Sequence, residues 1–214
     1  MSQPSHPAQP AIHLQRVQAL LREGGRKLLG LVGPPGAGKS TLAASLLQAF
    51  DGTAQVVPMD GFHLANSELR RLGRAARKGA PDTFDADGYV ALLRRLRAQR
   101  DGETVYAPEF RREIEEAVAG AIAVHPGTQL LIAEGNYLLL DQGPWAEVAG
   151  LLDDCWYVEV DDGLRTERLL RRHEQFGRSA RQAIDWVAGT DAPNARLIEA
   201  TRARASWIFR WTDR

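Results

Sequence analysis

The chain has 214 residues, of which 27 are Lys or Arg and 27 Asp or Glu, with one cysteine and 44% hydrophobic residues. That length suits one domain with a sizeable core, or two small ones. The balanced charge provides no global field for nucleic acid or an anionic membrane, the lone Cys155 excludes an internal disulfide framework, and no apolar run approaches the ~20 residues that span a bilayer.

Met1 to Pro10, "MSQPSHPAQP", has neither the basic start nor the apolar centre of a signal peptide. It is expected as a flexible tail, 1–10, on a cytoplasmic protein, with 11–214 as a single domain. Ile12, Leu14, Val17, Leu20 and Leu21 fit one face of a helix. Lys27 to Val32, "KLLGLV", has the length and apolarity of a buried strand. It runs into Gly33-Pro34-Pro35-Gly36-Ala37-Gly38-Lys39-Ser40-Thr41, and Leu42 to Phe50 then reads as a helix. Strand, glycine loop and helix are the context that G-x-x-x-x-G-K-[ST] requires. Glycines let backbone N–H groups converge on a diphosphate, where a Cβ would block the approach. The helix start adds positive potential, Lys39 can reach the outer phosphates, and the Ser40 hydroxyl suits a Mg²⁺ ion, which takes few protein ligands.

Ala54 to Met59 reads as the next strand, the basic stretch Arg70 to Pro81 as a loop or short helix, and Ala86 to Arg100 as a helix. Further strands are expected at Gln129 to Ala133 and Asp154 to Val160, with helices over about Asp162–Ala188 and Pro193–Phe209. Alternating strands and helices predict an α/β fold with a mainly parallel sheet, whose ligands gather at the carboxyl ends of the strands. Two carboxylates stand there: Asp60 in "MDGFH" and Glu134 in "LLIAEGNYLLL". The guanine-reading Asn-Lys-x-Asp of GTPases, the Ser-Gly-Gly-Gln of transporter ATPases and the adjacent Asp-Glu of many motors are all missing from the sequence. A small kinase with a second carboxylate for an acceptor hydroxyl remains.

"GPPGAGKST", "MDGFH", "RKGAPDTFD" (Arg77 to Asp85) and "IAEGNYLLL" resemble, in that order, the motifs of the pantothenate kinase, uridine kinase and phosphoribulokinase superfamily. The resemblance covers about Lys27 to Ile198 and looks strongest to the bacterial fructose-transport-system kinase-like branch, also described as nucleoside/nucleotide kinase-like. It implies a P-loop NTPase of three-layer, nucleotide-kinase-like fold with a helical lid at about 162–181. It also implies ATP- and Mg²⁺-dependent phosphorylation of a small-molecule hydroxyl, with Asp60 as base and Glu134 beside Ser40 at the metal. Arg168 and Arg171, three apart on one helix face, match the lid arginines of the uridine kinase pattern, and Arg178 matches a third that binds ATP. Arg165, Arg172 and Arg181 are expected to be solvated, as are Arg70 and Arg71. His63 is placed to hydrogen-bond the acceptor, or is a satisfied structural histidine. Arg74, Arg77 and Lys78 of the same basic stretch either hold an anionic acceptor or are solvated, with Lys78 taken as the acceptor-side residue. By resemblance Asn194 touches nucleotide or product; by position it is an N-terminal helix residue after Pro193. Trp186, Trp207 and Trp211 read as packing groups.

Gly79 stands where uridine kinases carry an Asp that holds the ribose hydroxyls. The resemblance therefore favours a sugar or a pantothenate-like, carboxylate-bearing alcohol over uridine or cytidine, unless Asp82 or Asp85 takes over that contact. A nucleoside kinase is the alternative within this class, and an ATP-binding regulatory module without an acceptor is the alternative from another. Nothing in the sequence fixes an oligomeric state.

Overall fold

A computed structural model describes residues 11–211; the tail expected at 1–10 lies outside them. In chain order the elements are α1 (Ile12–Arg22), β1 (Lys27–Val32), α2 (Lys39–Ala49), β2 (Ala54–Pro58), α3 (Asn66–Arg71), α4 (Ala86–Arg97), β3 (Val105–Arg111) and β4 (Glu116–Val124). There follow β5 (Leu130–Gly135), β6 (Asp154–Glu159), α5 (Asp162–Gln175), α6 (Ala180–Trp186), α7 (Ala192–Glu199) and β7 (Trp207–Arg210).

Five strands form a parallel sheet in the order β2-β5-β1-β6-β7. Period-two alternation sends the side chains of each strand to opposite faces, so β1 builds two cores at once. Leu28 and Val32 join Tyr89, Leu93 and Leu96 of α4 on one face, whereas Leu29 and Leu31 join Val17 of α1 and Leu42 and Leu46 of α2 on the other. Burial on both faces is why "KLLGLV" and "QLLIA" read as continuous apolar runs rather than alternating ones. Helix, sheet and helix make the expected three layers.

Two expectations are corrected. Trp207–Arg210 is not the end of a helix but the edge strand β7, which pairs with β6 through Trp156↔Trp207 to Glu159↔Arg210. Its β-branched and aromatic residues suit a pleated edge, and the indole of Trp207 meets that of Trp156 edge-on at 4.8 Å. The helical stretch expected over 162–188 is broken: α5 ends before Gly177, whose φ is +92°, and Ser179 starts α6 with a capping box to Gln182. A π-turn over Val187–Asp191 then leads straight into α7.

The β3–β4 hairpin had no counterpart in the sequence reading. Its pairing is antiparallel, with a register shift between Ala107 and Glu109 around Pro108, which has no N–H to give a ladder. The hairpin lies over the end of β2, where a Cβ at Gly61 would collide with the Pro108 carbonyl. That close approach is the reason for a glycine in "MDGFH".

Candidate active site

The crossovers bring three strand ends together. β1 opens into the glycine loop, β2 into the short turn holding Asp60, and β5 closes on Glu134. A cavity of about 960 Å³ lies outside these ends. One part of it is walled by Gly36, Gly38, Lys39, Ser40 and Thr41, and the opposite part by Asp60, His63, Lys78, Gly79 and Asn194.

In the loop, Gly36 has φ +83° and Gly38 +93°, left-handed values that cost other residues energy. A Cβ on Gly38 would come within 2.8 Å of Trp211 Nε1, which donates to the Ala37 carbonyl at 3.3 Å. A Cβ on Gly33 would stand 2.7 Å from the Val158 carbonyl. Lys39 Nζ donates to the Gly33 and Pro34 carbonyls at 2.8 and 3.2 Å and to Asn136 Oδ1 at 2.8 Å. Burial pushes the Lys39 ammonium down to about 8, against the opposing pull of Glu134 and Asp60. Asn136 of "EGNY" was not singled out in the sequence; its position two residues beyond Glu134 was the available signal.

Ser40 Oγ donates to Glu134 Oε1 at 2.6 Å. Burial raises the Glu134 pKa, while Lys39 and the Ser40 bond work against that rise. Two hard oxygen donors side by side, next to a loop shaped for phosphate, fit a magnesium ion that keeps most of its water.

Asp60 is about one-third exposed, and its Oδ2 lies 3.6 Å from Nη2 of Arg112 at the hairpin tip. His63 is wedged between Phe84 and Phe110, with ring centroids 4.0 and 4.6 Å away, and its Nδ1 meets the Asp60 carbonyl at 2.7 Å. Burial lowers its pKa, against the opposing pull of Asp60. His63 is thus both a packed residue and part of the cavity wall. Lys78 Nζ donates to Asn66 Oδ1 at 2.8 Å and sits 5.0 Å from the Phe110 ring centre. Asn194 is buried, as the third residue of α7, and donates to the Gly79 carbonyl at 3.3 Å. Asn194 thus stands near the start of α7, as its position predicts, and lines the cavity.

Gly79 has φ +100°, and its carbonyl also accepts from the Tyr137 hydroxyl at 2.5 Å. Neither acid considered as its replacement reaches the cavity. Asp82 is tied up with Arg77 and Arg74, and Asp85 caps α4 by accepting from Gly88 N at 2.9 Å.

The lid arginines divide differently from their expected pairing. Arg168 lines the cavity and donates to the Gly36 carbonyl at 3.3 Å. Arg171 does not line it, turning instead to Glu167 on the outer face. Arg172, expected to be solvated, is half-buried and lines the cavity, because α5 presents residues four apart, 168 and 172, to it. Arg165 was also expected in solvent but is buried: the first turn of α5 rests on the loop, where a Cβ on Gly36 would stand 3.1 Å from the Arg165 carbonyl. Arg181 is exposed as expected. Arg178 lies 4.1 Å over the Trp186 ring and meets His173 Nδ1 at 2.8 Å, while His173 Nε2 meets Asp191 at 2.7 Å. Trp186 and Trp211 line the cavity, whereas Trp207 is the packing group expected.

Residues 28–211 match the Phosphoribulokinase / Uridine kinase family. The chain belongs to that family. It is 37% identical over 195 residues to a Schizosaccharomyces pombe protein named "Putative uridine kinase C227.14", covering 86% of this chain and 83% of the other. It is 31% identical to a pantothenate kinase of Ligilactobacillus salivarius, across 69% of this chain and 49% of that one. Among solved structures, a "putative fructose transport system kinase" from Silicibacter sp. TM1040 superimposes with a TM-score of 0.84 at 38% identity, covering 93% of this chain and 99% of the other. The fold is therefore that of a P-loop kinase, and family membership makes the protein a phosphotransferase. No helix among the described residues is long and apolar enough to cross a membrane.

Proposed function

We propose that the protein transfers the γ-phosphate of ATP, with Mg²⁺, to a hydroxyl of a small metabolite, and that the acceptor is a sugar or a pantothenate-like alcohol rather than a nucleoside. The observation that carries this reading is the shared cavity in which the Lys39–Ser40–Glu134 cluster faces Asp60. Phosphoryl transfer has a loose transition state, so catalysis is mainly positioning and charge stabilisation. Ser40 and Glu134 would hold a magnesium ion, which would supply charge neutralisation for the polyphosphate. Lys39 adds a buried cation on the same side, and Arg168 closes over the loop. Asp60 orients the acceptor hydroxyl and takes its proton as the oxygen forms its bond to phosphorus. The bond from phosphorus to the bridging oxygen breaks, and ADP, a phosphate ester and one proton result.

The preference against nucleosides is supported by Gly79. A left-handed glycine has no side chain to accept from a ribose diol, and Asp82 and Asp85 are engaged elsewhere. A site without a partner for a substrate hydroxyl gives up the discrimination that such a bond confers. The named uridine kinase relative supports the opposite preference, and one measurement separates the two. ADP release with Mg·ATP is followed over a panel of fructose, pantothenate, uridine and cytidine. A kcat/KM for uridine well above those for the others would overturn the acceptor assignment. Acceptor-independent turnover that no compound raises would favour a regulatory ATPase module instead.

A further inference from the structure

The cavity holds a pair of cations that the reading above leaves without work. Arg168 reaches the phosphate loop, and Arg172 lies one turn, about 5–6 Å, further along α5. Arg172 is half-buried, lowered in pKa first by burial and then by the neighbouring Arg112, and its side chain makes no hydrogen bond or ion pair among the described residues. Arg112, from the hairpin tip, makes its one ion pair among the described residues with Asp60, at 3.6 Å, beyond the 2.7–2.9 Å of a charge-assisted hydrogen bond. The other carboxylates around them have partners: Asp191 meets His173 at 2.7 Å, and Glu115 lies 3.8 Å from Lys78. A guanidinium carries five donors, and taking it out of water without acceptors is costly. Two of them, Arg112 after β3 and Arg172 on α5, line the cavity that also holds Asp60, close enough to repel one another.

We propose that the acceptor is an anion, a hydroxyl compound bearing a carboxylate or a phosphate, whose oxyanion is held between Arg112 and Arg172 while its hydroxyl faces Asp60. This inference rests on the kinase reading, because that reading puts the hydroxyl at Asp60. It narrows the acceptor class: a neutral sugar or nucleoside would leave both guanidiniums uncompensated, whereas a planar carboxylate or a phosphate matches their fork geometry.

The test loads the protein with Mg·AMP-PNP, so that the phosphate loop is filled, and titrates malonate and inorganic phosphate by calorimetry. Either anion should bind, and Arg112→Ala and Arg172→Ala should each weaken it about tenfold or more, while AMP-PNP affinity stays within about twofold. The tighter of the two anions distinguishes a carboxylate acceptor from a phosphorylated one. Failure of both anions to bind at millimolar concentration, or equal binding by the variants, would overturn the proposal. So would a loss of AMP-PNP affinity in Arg172→Ala with anion binding intact, which would make Arg172 a triphosphate group. Turnover supplies an independent arm, in which gluconate or fructose 6-phosphate should surpass fructose and uridine in kcat/KM. A neutral acceptor about tenfold better than either anion would overturn it. If AMP-PNP itself does not bind, the kinase reading falls, and malonate titrated against free wild-type protein and Arg112→Ala still decides the anion site.

Discussion

Asp60→Asn separates chemistry from binding most cleanly. Asn keeps the size of the side chain and can still accept a hydrogen bond, but it cannot take the proton of the acceptor hydroxyl. A positioned general base contributes about 10²–10⁴ in rate, equivalent to about 3–5 kcal/mol, and kcat should fall by that factor. The stability cost should be small. Asp60 is partly exposed, its contact with Arg112 is 3.6 Å long, and such surface pairs contribute under about 1 kcal/mol. For a domain of this size that shifts Tm by no more than about 2–4 °C. Nucleotide affinity should hardly change, because the loop side of the cavity is built from β1, α2 and β5. Coupled ADP release with a true acceptor gives kcat, an AMP-PNP titration gives affinity, and a thermal melt checks the fold. Turnover within about tenfold of wild type would remove Asp60 from the base role. A parallel loss of AMP-PNP binding would show that it serves the nucleotide side.

Arg168→Ala should lower transfer, whereas Arg171→Ala, whose side chain pairs with Glu167 outside the cavity, should leave kcat/KM within about twofold and stability within about 0.5 kcal/mol; equal losses in both would restore the pair expected from sequence. Tyr89→Phe should hold stability level or raise it by up to about 1 kcal/mol, since the hydroxyl is fully buried without a partner among the described residues. A drop in chemical-denaturation midpoint would refute this. Burial alone would raise the Asp154 pKa, but bonds from Arg16, Ser206 and Trp156 outweigh it and hold the group below its ordinary value. A depressed folded-state value means stabilisation that is complete above the unfolded pKa of about 3.9 and lost as pH falls through the folded one. The acid-side decline in Tm should therefore be shallower in Asp154→Asn, and an unchanged slope would count against it.

The sequence by itself determined the parts that are local in the chain. The phosphate loop was legible because its glycines, Lys39 and Ser40 are consecutive, and backbone conformation at φ +83° and +93° is a property of the residues themselves. The buried strands were legible because burial on both faces writes an unbroken apolar run. Asp60 and Glu134 could be named from their positions at strand ends, since parallel topology sends those ends to one edge. Only the tertiary structure decided what depends on facing. Which arginines of α5 reach the cavity turns on how the helix sits on the sheet, and spacings of three and four residues leave Arg171 and Arg172 as rival companions for Arg168. Packing of the first turn on Gly36 took Arg165 out of solvent. The β3–β4 hairpin, with an Ala-rich β4, a proline at its bulge and no strong periodicity, packs on the turn that follows β2. That hairpin carries Phe110, Arg112 and Glu115 into the cavity, so its share of the site, beside Asp60, His63 and Lys78, was the part that residue order alone could not show.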